Sequence, residues 1–304
     1  MGAGDVSDAP GPAPRDRTPA APRPFDCLWC GRTWHPRDAD DLEARARLCP
    51  DCLGRADSNP FIRFRLHAAL DARAGTIAEP GDQLIAYYQA RAPEYDDWYL
   101  RRGRYAHGPL HDLAWQMELD AATMWLDGLP LQGVIEELAA GTGWWSALLA
   151  TKGELHASDA ATAPLERASD RLAAHRLRAH LHVRDAWAPP DRIVDALFAG
   201  FWLSHVPRAR LGAFLGVARA WLRPGGRFAA IDSLPDPASG TVDQLPAPGP
   251  DLARCRLADG REFTIPKVAY APGELASALR AAGFATVDVR TTGRFFLLAT
   301  AAAP

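Results

Sequence analysis

The 304-residue sequence predicts an α/β protein, a mostly parallel sheet covered by helices on both faces, preceded by a small cysteine-rich module. Three observations carry that prediction. From about residue 133, short apolar runs alternate with helix-length segments, the order that builds parallel strands joined by crossover helices. Hydrophobic residues make up 48% and charged residues 23%, the proportions of a globular chain with a real core. Four of the five cysteines form two Cys-x-x-Cys pairs between residues 27 and 52.

Taken in order, residues 1–24 lack the aromatic and branched side chains that offset ordering entropy, and read as a disordered tail. Residues 58–74 start with Ser, Asn and Pro and continue at helical spacing, so a helix is expected. A second helix is expected over 82–100, rich in Tyr and Trp. Strand GVIEEL (133–138) then leads to a helix from Gly143, strand ELHAS (154–158) to a helix over 163–178, and strand HLHV (180–183) to a loop. Strand IVDALFAG (193–200) leads to a helix over 208–222, the turn LRPGG, and strand RFAAID (227–232). Residues 233–252 are Pro-rich, and CRLADGREFTI (255–265) reads as a hairpin around Asp259-Gly260. A helix over 274–282 and strands near 285–290 and 294–299 finish the chain.

Composition narrows the function. A net charge of −3 carries no footprint of a general nucleic-acid binder. No apolar run reaches 18 residues and the N-terminus has no apolar central stretch, so a soluble cytoplasmic protein without a membrane partner is expected. Only Lys152 and Lys267 are lysines among 34 basic residues.

The stretch VIEELAAGTGWW (134–145) reads as a strand, a tight turn and a helix start, with Gly141 and Gly143 letting a ligand lie against the backbone. Asp159 ends the next strand, where an acid can accept hydrogen bonds from both ribose hydroxyls of a nucleoside. Dinucleotides and S-adenosylmethionine (SAM) both use such an acid. The turn separates them, because Ala139 replaces the first Gly of G-x-G-x-x-G and Trp144-Trp145 would block a pyrophosphate. Glu137 suits a cationic ligand instead. Asp185-Ala186 lies just past the third strand, placed for an adenine amino group and ring nitrogen.

With these residues the sequence resembles the class I SAM-dependent methyltransferases over about residues 80–300. Glu137-Leu-Ala-Ala-Gly-Thr-Gly143, Asp159, Arg184-Asp185-Ala186, Asp195 to His205, and Leu222-Arg-Pro-Gly-Gly-Arg-Phe228 match five motifs in order. The resemblance implies a Rossmann-like seven-stranded sheet whose last strand, RFFLLAT (294–300), is antiparallel. It also implies SAM contacts from Glu137, Ala139, Gly141, Gly143, Asp159, Asp185 and Ala186. Ala92-Pro-Glu-Tyr95-Asp96 is similar to a stretch of small-molecule members whose Tyr closes over the cofactor.

His205 and Asp232 follow the fourth and fifth strands, where an acceptor should lie, and are the catalytic candidates. Either also suits a packing role. Trp202, Tyr95 and Phe201 are candidate walls of an acceptor pocket.

Cys27, Cys30, Cys49 and Cys52 sit on two knuckles that can close a tetrahedron around a structural Zn²⁺; two disulfides would need an oxidising compartment. His35 is a substitute ligand, and Cys255 is left as a free thiol. The expected organisation is a tail (1–24), a zinc-binding module (25–56), a helical linker and lid (57–110) and a methyltransferase domain (111–304). The function expected is methyl transfer to an O, N or C acceptor on a small molecule, with the zinc module a platform for packing, a protein partner or self-association. The alternatives are an rRNA or tRNA methyltransferase that uses the module on RNA, and an inactive scaffold or regulator.

Overall fold

A computed structural model describes residues 23–38, 41–56, 58–63, 65, 66, 69 and 80–304. Residues 1–22 of the disordered tail expected at 1–24, and residues 64, 67, 68 and 70–74 of the helix expected at 58–74, lie outside the described residues. The chain divides into two compact units, residues 1–73 and 74–304.

In the first unit, β1 (Phe25–Asp26) pairs antiparallel with β2 (Thr33–Trp34). Two short helices follow, α1 (Leu42–Ala46) and α2 (Pro50–Leu53). Residues 60–63 are helical, started by Asn59, whose side-chain oxygen accepts from the Phe61 and Ile62 amides at 3.0 and 3.2 Å. The core is small: Ala46, Leu48 and Ile62 are fully buried, and Trp29 stacks on Phe61. A core of this size needs a covalent or metal staple.

The second unit begins with α3 (Pro80–Arg91), a 3₁₀ turn over Ala92–Glu94, and α4 (Tyr95–Leu100). The single helix expected over 82–100 is thus broken. Pro93 removes an amide donor and its ring crowds the preceding turn, so the helix restarts at Tyr95. The 20-residue helix α5 (Pro109–Gly128) was not anticipated. It buries Trp115, Leu119, Ala122 and Leu126 but leaves Leu110, Leu113, Met117 and Met124 exposed, so apolar residues on two faces blur the helical period.

The strands are β3 (Val134–Leu138), β4 (Glu154–Asp159), β5 (His180–Val183), β6 (Val194–Gly200), β7 (Leu222–Ser233), β10 (Ala285–Thr291) and β11 (Phe296–Ala302). They form one seven-stranded sheet in the order β10-β11-β7-β6-β3-β4-β5. Strands β5, β4, β3, β6 and β7 are parallel, and β11 lies antiparallel between β7 and β10. The expected antiparallel last strand is therefore present. Helices α6 (Ser146–Leu149), α7 (Thr162–Ala174), α8 (Leu211–Ala220) and α9 (Pro272–Ala281) connect the strands. The expected LRPGG turn is absorbed into β7 as an irregularity: Leu222 pairs with Val194 and Arg227 with Ala196, so residues 223–226 loop out between them. β8 (Leu252–Arg256) and β9 (Glu262–Pro266) form the expected hairpin, and α3 packs against it through Leu84, Tyr87, Leu257 and Ile265.

Candidate active site

The carboxyl ends of the parallel strands open onto one side of the sheet, the usual ligand edge of such folds. The turn that leaves β3 is the first component. Ala139, Gly141 and Gly143 take φ values of 52°, 58° and 73°, so three residues in five are left-handed and the chain reverses sharply. The helix expected from Gly143 therefore starts only at Ser146. A Cβ on Gly143 would lie 2.8 Å from the Cβ of Ala168, so α7 packs directly on that hydrogen. A Cβ on Gly141 would meet the Tyr95 ring at 3.5 Å, which places Tyr95 over the turn.

Neighbouring Glu136 and Glu137 point to opposite faces of β3, as strand geometry requires, and both are buried. Glu136 accepts from Ser158 Oγ and pairs with Arg192 at 3.0 Å. Burial nevertheless pushes its carboxyl up to about 7. Glu137 lies on the turn side, accepts from Ser146 Oγ, and is pushed by burial up to about 8. Nothing cationic adjoins it among the described residues.

Asp159 accepts from the Gly141 amide at 2.9 Å and the Ala161 amide at 2.8 Å, one on each oxygen. Burial raises it to about 6 against those two hydrogen bonds. Each oxygen keeps a lone pair for a hydroxyl. Asp185, close enough to Asp159 to repel its charge, accepts from the Trp187 amide at 2.9 Å, and Ala186 beside it is buried.

Helix α4 is fastened to this turn by contacts the sequence reading did not anticipate. Thr142 Oγ1 donates to Asp96 at 2.6 Å, Arg171 pairs with the other oxygen of Asp96, and Trp144 stacks on Tyr99 at 4.2 Å and 2°. The two tryptophans that spoke against a dinucleotide thus serve as packing: Trp145 lies so close over Gly200 that a Cβ there would come within 2.6 Å.

The second component lies past β6 and β7. His205, 5% exposed, donates from Nδ1 to the Pro266 carbonyl at 2.7 Å, which leaves Nε2 to accept from the Tyr88 hydroxyl at 2.6 Å. Burial holds the imidazole neutral, down to about 3, with Lys267 and Arg91 adding repulsion and the Pro266 bond opposing. Asp232, also buried, accepts from the Ser204 and Ser233 amides at 2.8 and 2.6 Å. Lys267 donates to Ser204 Oγ at 2.9 Å, so Ser204 ties the lysine to the aspartate. Tyr88 stands 5.6 Å from Tyr95 and so bridges the two components. Tyr88, Arg91, Ser204 and Lys267 were not predicted as site residues; the scarcity of lysine in this chain was the one available signal. Phe201 packs among Trp98, Trp145 and Phe296 in the core rather than walling a pocket, whereas Trp202 joins the α3 and β9 cluster.

In the first unit the sulfurs of Cys27, Cys30, Cys49 and Cys52 all lie within 4.8 Å of one another, and all are free thiols. Cys30 and Cys49 are 3.7 Å apart, close to the edge of about 3.8 Å that four Zn–S bonds of about 2.3 Å give a tetrahedron.

Comparison with known proteins agrees with this geometry. The profile of a methyltransferase domain family matches residues 135–226, from β3 to the start of β7 proper. DhpI, solved in complex with S-adenosylhomocysteine (SAH), is 30% identical, with 72% of this chain and 95% of that chain covered and a TM-score of 0.57. A second DhpI complex, with SAM and HEP, gives 31% identity, coverage of 72% and 96%, and a TM-score of 0.58. Magnesium protoporphyrin IX methyltransferase from Synechocystis, with bound SAM, shares the fold at 14% identity, coverage of 76% and 100%, and a TM-score of 0.50. No curated protein sequence gives a match. The chain belongs to the class I SAM-dependent methyltransferases. It is a SAM-dependent transferase.

Proposed function

We propose that this enzyme methylates an O, N or C atom of a small molecule within the cleft between α3, the β8–β9 hairpin and the ends of β6 and β7. The depth of the polar groups carries the reading. His205 and Asp232 are buried beneath α3 and the hairpin, a setting that suits an enclosed small molecule better than a polymer strand. The DhpI–SAM–HEP complex, in a relative at 31% identity, gives further support.

The residues present fit SAM. Gly141 and Gly143 supply the left-handed bends of the turn, Asp159 has acceptor capacity for ribose hydroxyls, and Asp185 with the amide of Ala186 suits adenine. Buried Glu137 beside the turn fits the methionine ammonium, Ala139 gives the turn its first reversal, and Tyr95 covers it. SAM supplies an electrophilic methyl group, and the protein's contribution is chiefly to hold an acceptor in line with it. His205 is better suited to orienting Tyr88 than to taking a proton, since its imidazolium is so strongly disfavoured. Asp232, with Ser204 and Lys267, is the second candidate group at the acceptor end.

The four thiols fit a structural Zn²⁺: the donor set is all sulfur, the four sulfurs lie within 4.8 Å of one another and no disulfide competes. Titration calorimetry of the full-length protein with SAM and SAH, with metal content determined on the same sample, tests both halves. Micromolar binding lost by at least about tenfold in Asp159→Ala, with one zinc per chain, is expected. Absence of binding to either nucleoside would remove the basis for this reading.

A further inference from the structure

Arg91, the last residue of α3, is a buried cation without a counter-ion. It is 8% exposed, yet its guanidinium has no hydrogen-bond or carboxylate partner among the described residues, and its Nε is fully enclosed. Four tyrosine rings surround it instead, with centroids 4.7 Å (Tyr95), 5.5 Å (Tyr87), 5.6 Å (Tyr105) and 5.9 Å (Tyr88) from Cζ. Cation–π contacts recover only part of what desolvating an unpaired ion costs. They leave the five N–H donors unused. Arg101, the other buried arginine among the described residues, donates to the carbonyls of Ala238 and Ser239.

Arg91 adjoins both components of the site. Tyr95 is between it and the Gly141 turn; Tyr88, bonded to His205, is its neighbour on the acceptor side. A second cation lies within electrostatic reach of Arg91. Lys267 uses one of its three donors on Ser204 Oγ and has no carboxylate within ion-pair distance among the described residues. Arg91 and Lys267 feel each other's charge, and both act on His205. Asp232 is the acid that offsets Lys267, and each of its oxygens accepts one amide, from Ser204 and Ser233. Two cations against one anion leave the acceptor end with a net positive charge in a buried setting.

We infer that the methyl acceptor is a small molecule bearing an oxyanion, a carboxylate or phosphate-type group, bound by the Arg91 guanidinium with Lys267 as the second cation. The inference rests on the cleft being the acceptor pocket of a SAM-dependent methyltransferase. A forked guanidinium matches the two oxygens of such groups, and a low-dielectric site strengthens the pair. The methionine carboxylate is the rival anion, and the experiment separates the two.

The full-length protein is titrated by calorimetry with SAH, then with inorganic phosphate and with acetate, in the presence and absence of saturating SAH. Millimolar or tighter binding of at least one anion to the SAH-bound protein is expected. Arg91→Met and Lys267→Met should each weaken it by at least about tenfold, while SAH affinity stays within about twofold, which also certifies folding. Anion binding unchanged in both variants, or absent from the wild type, overturns the proposal. SAH affinity falling in parallel in Arg91→Met overturns it too, by assigning Arg91 to the methionine carboxylate. If SAH fails to bind the wild type, the methyltransferase reading fails, and the titrations without SAH still report whether Arg91 holds an anion.

Discussion

Ala139 occupies a left-handed conformation, φ 52°, that costs a residue with a Cβ about 1 kcal/mol. Ala139→Gly should therefore raise the urea midpoint by an amount worth up to about 1 kcal/mol without weakening SAM. Glu137 makes a sharper case. Its folded-state pKa, about 8, lies above the ordinary carboxylate value of 4.5. The folded protein thus holds this proton more tightly than the unfolded chain, and the resulting stability is fully present below about pH 4.5 and lost as pH rises through about 8. Asp159 and Glu136, raised to about 6 and 7, act in the same sense. The ligand-free protein should be less stable to urea at pH 8.5 than at pH 5.5, and Glu137→Gln should flatten part of that slope. An ammonium beside Glu137 would discharge its proton, so SAM binding at pH 7 should release about one proton, seen as calorimetric enthalpies that vary with buffer ionisation heat. Identical proton release in Glu137→Gln would assign the ammonium elsewhere.

At the scale of elements, the first turn and α7 act as one piece. Gly143 admits α7 by having no side chain, and Arg171 from that helix clamps the turn through the Thr142 carbonyl and Asp96. Gly143→Ala places a methyl 2.8–2.9 Å from Ala168 on top of a positive φ, so a loss of about 2–4 kcal/mol and at least about tenfold in SAM affinity are expected. Gly141→Ala meets only the Tyr95 ring at ordinary distance and should cost about 1 kcal/mol. Equal penalties in urea melts of the two variants would refute this account of the turn. β3, β4 and β6 were legible in the sequence because each is a short stretch carrying apolar residues and marked at one end by a glycine, Gly133, Gly153 and Gly200. The break at Pro93 and the length of α5 were not, because aromatic-rich segments with apolar residues on two faces carry no single period.

Over the whole molecule, the two units differ in what holds them. The second has a sheet whose inner residues, among them Ile135, Phe198 and Phe296, are fully buried. The first has a handful of buried side chains around four thiols. Chelation of bound zinc should therefore expose residues 23–73 to limited proteolysis while fragments spanning 80–304 persist; equal resistance before and after chelation would speak against a structural metal. What the sequence by itself determined was local or periodic: strand order of appearance, the glycine turn, the acid at the end of β4 and the cysteine spacing. Each depends on neighbours along the chain. His205 and Asp232 were legible too, from their places after the fourth and fifth strands, but the tertiary structure alone gathered Tyr88, Arg91 and Lys267 around them, because these come from distant segments with no shared motif. Their protonation and missing partners follow from burial, which exists only once the sheet, α3 and the hairpin have packed.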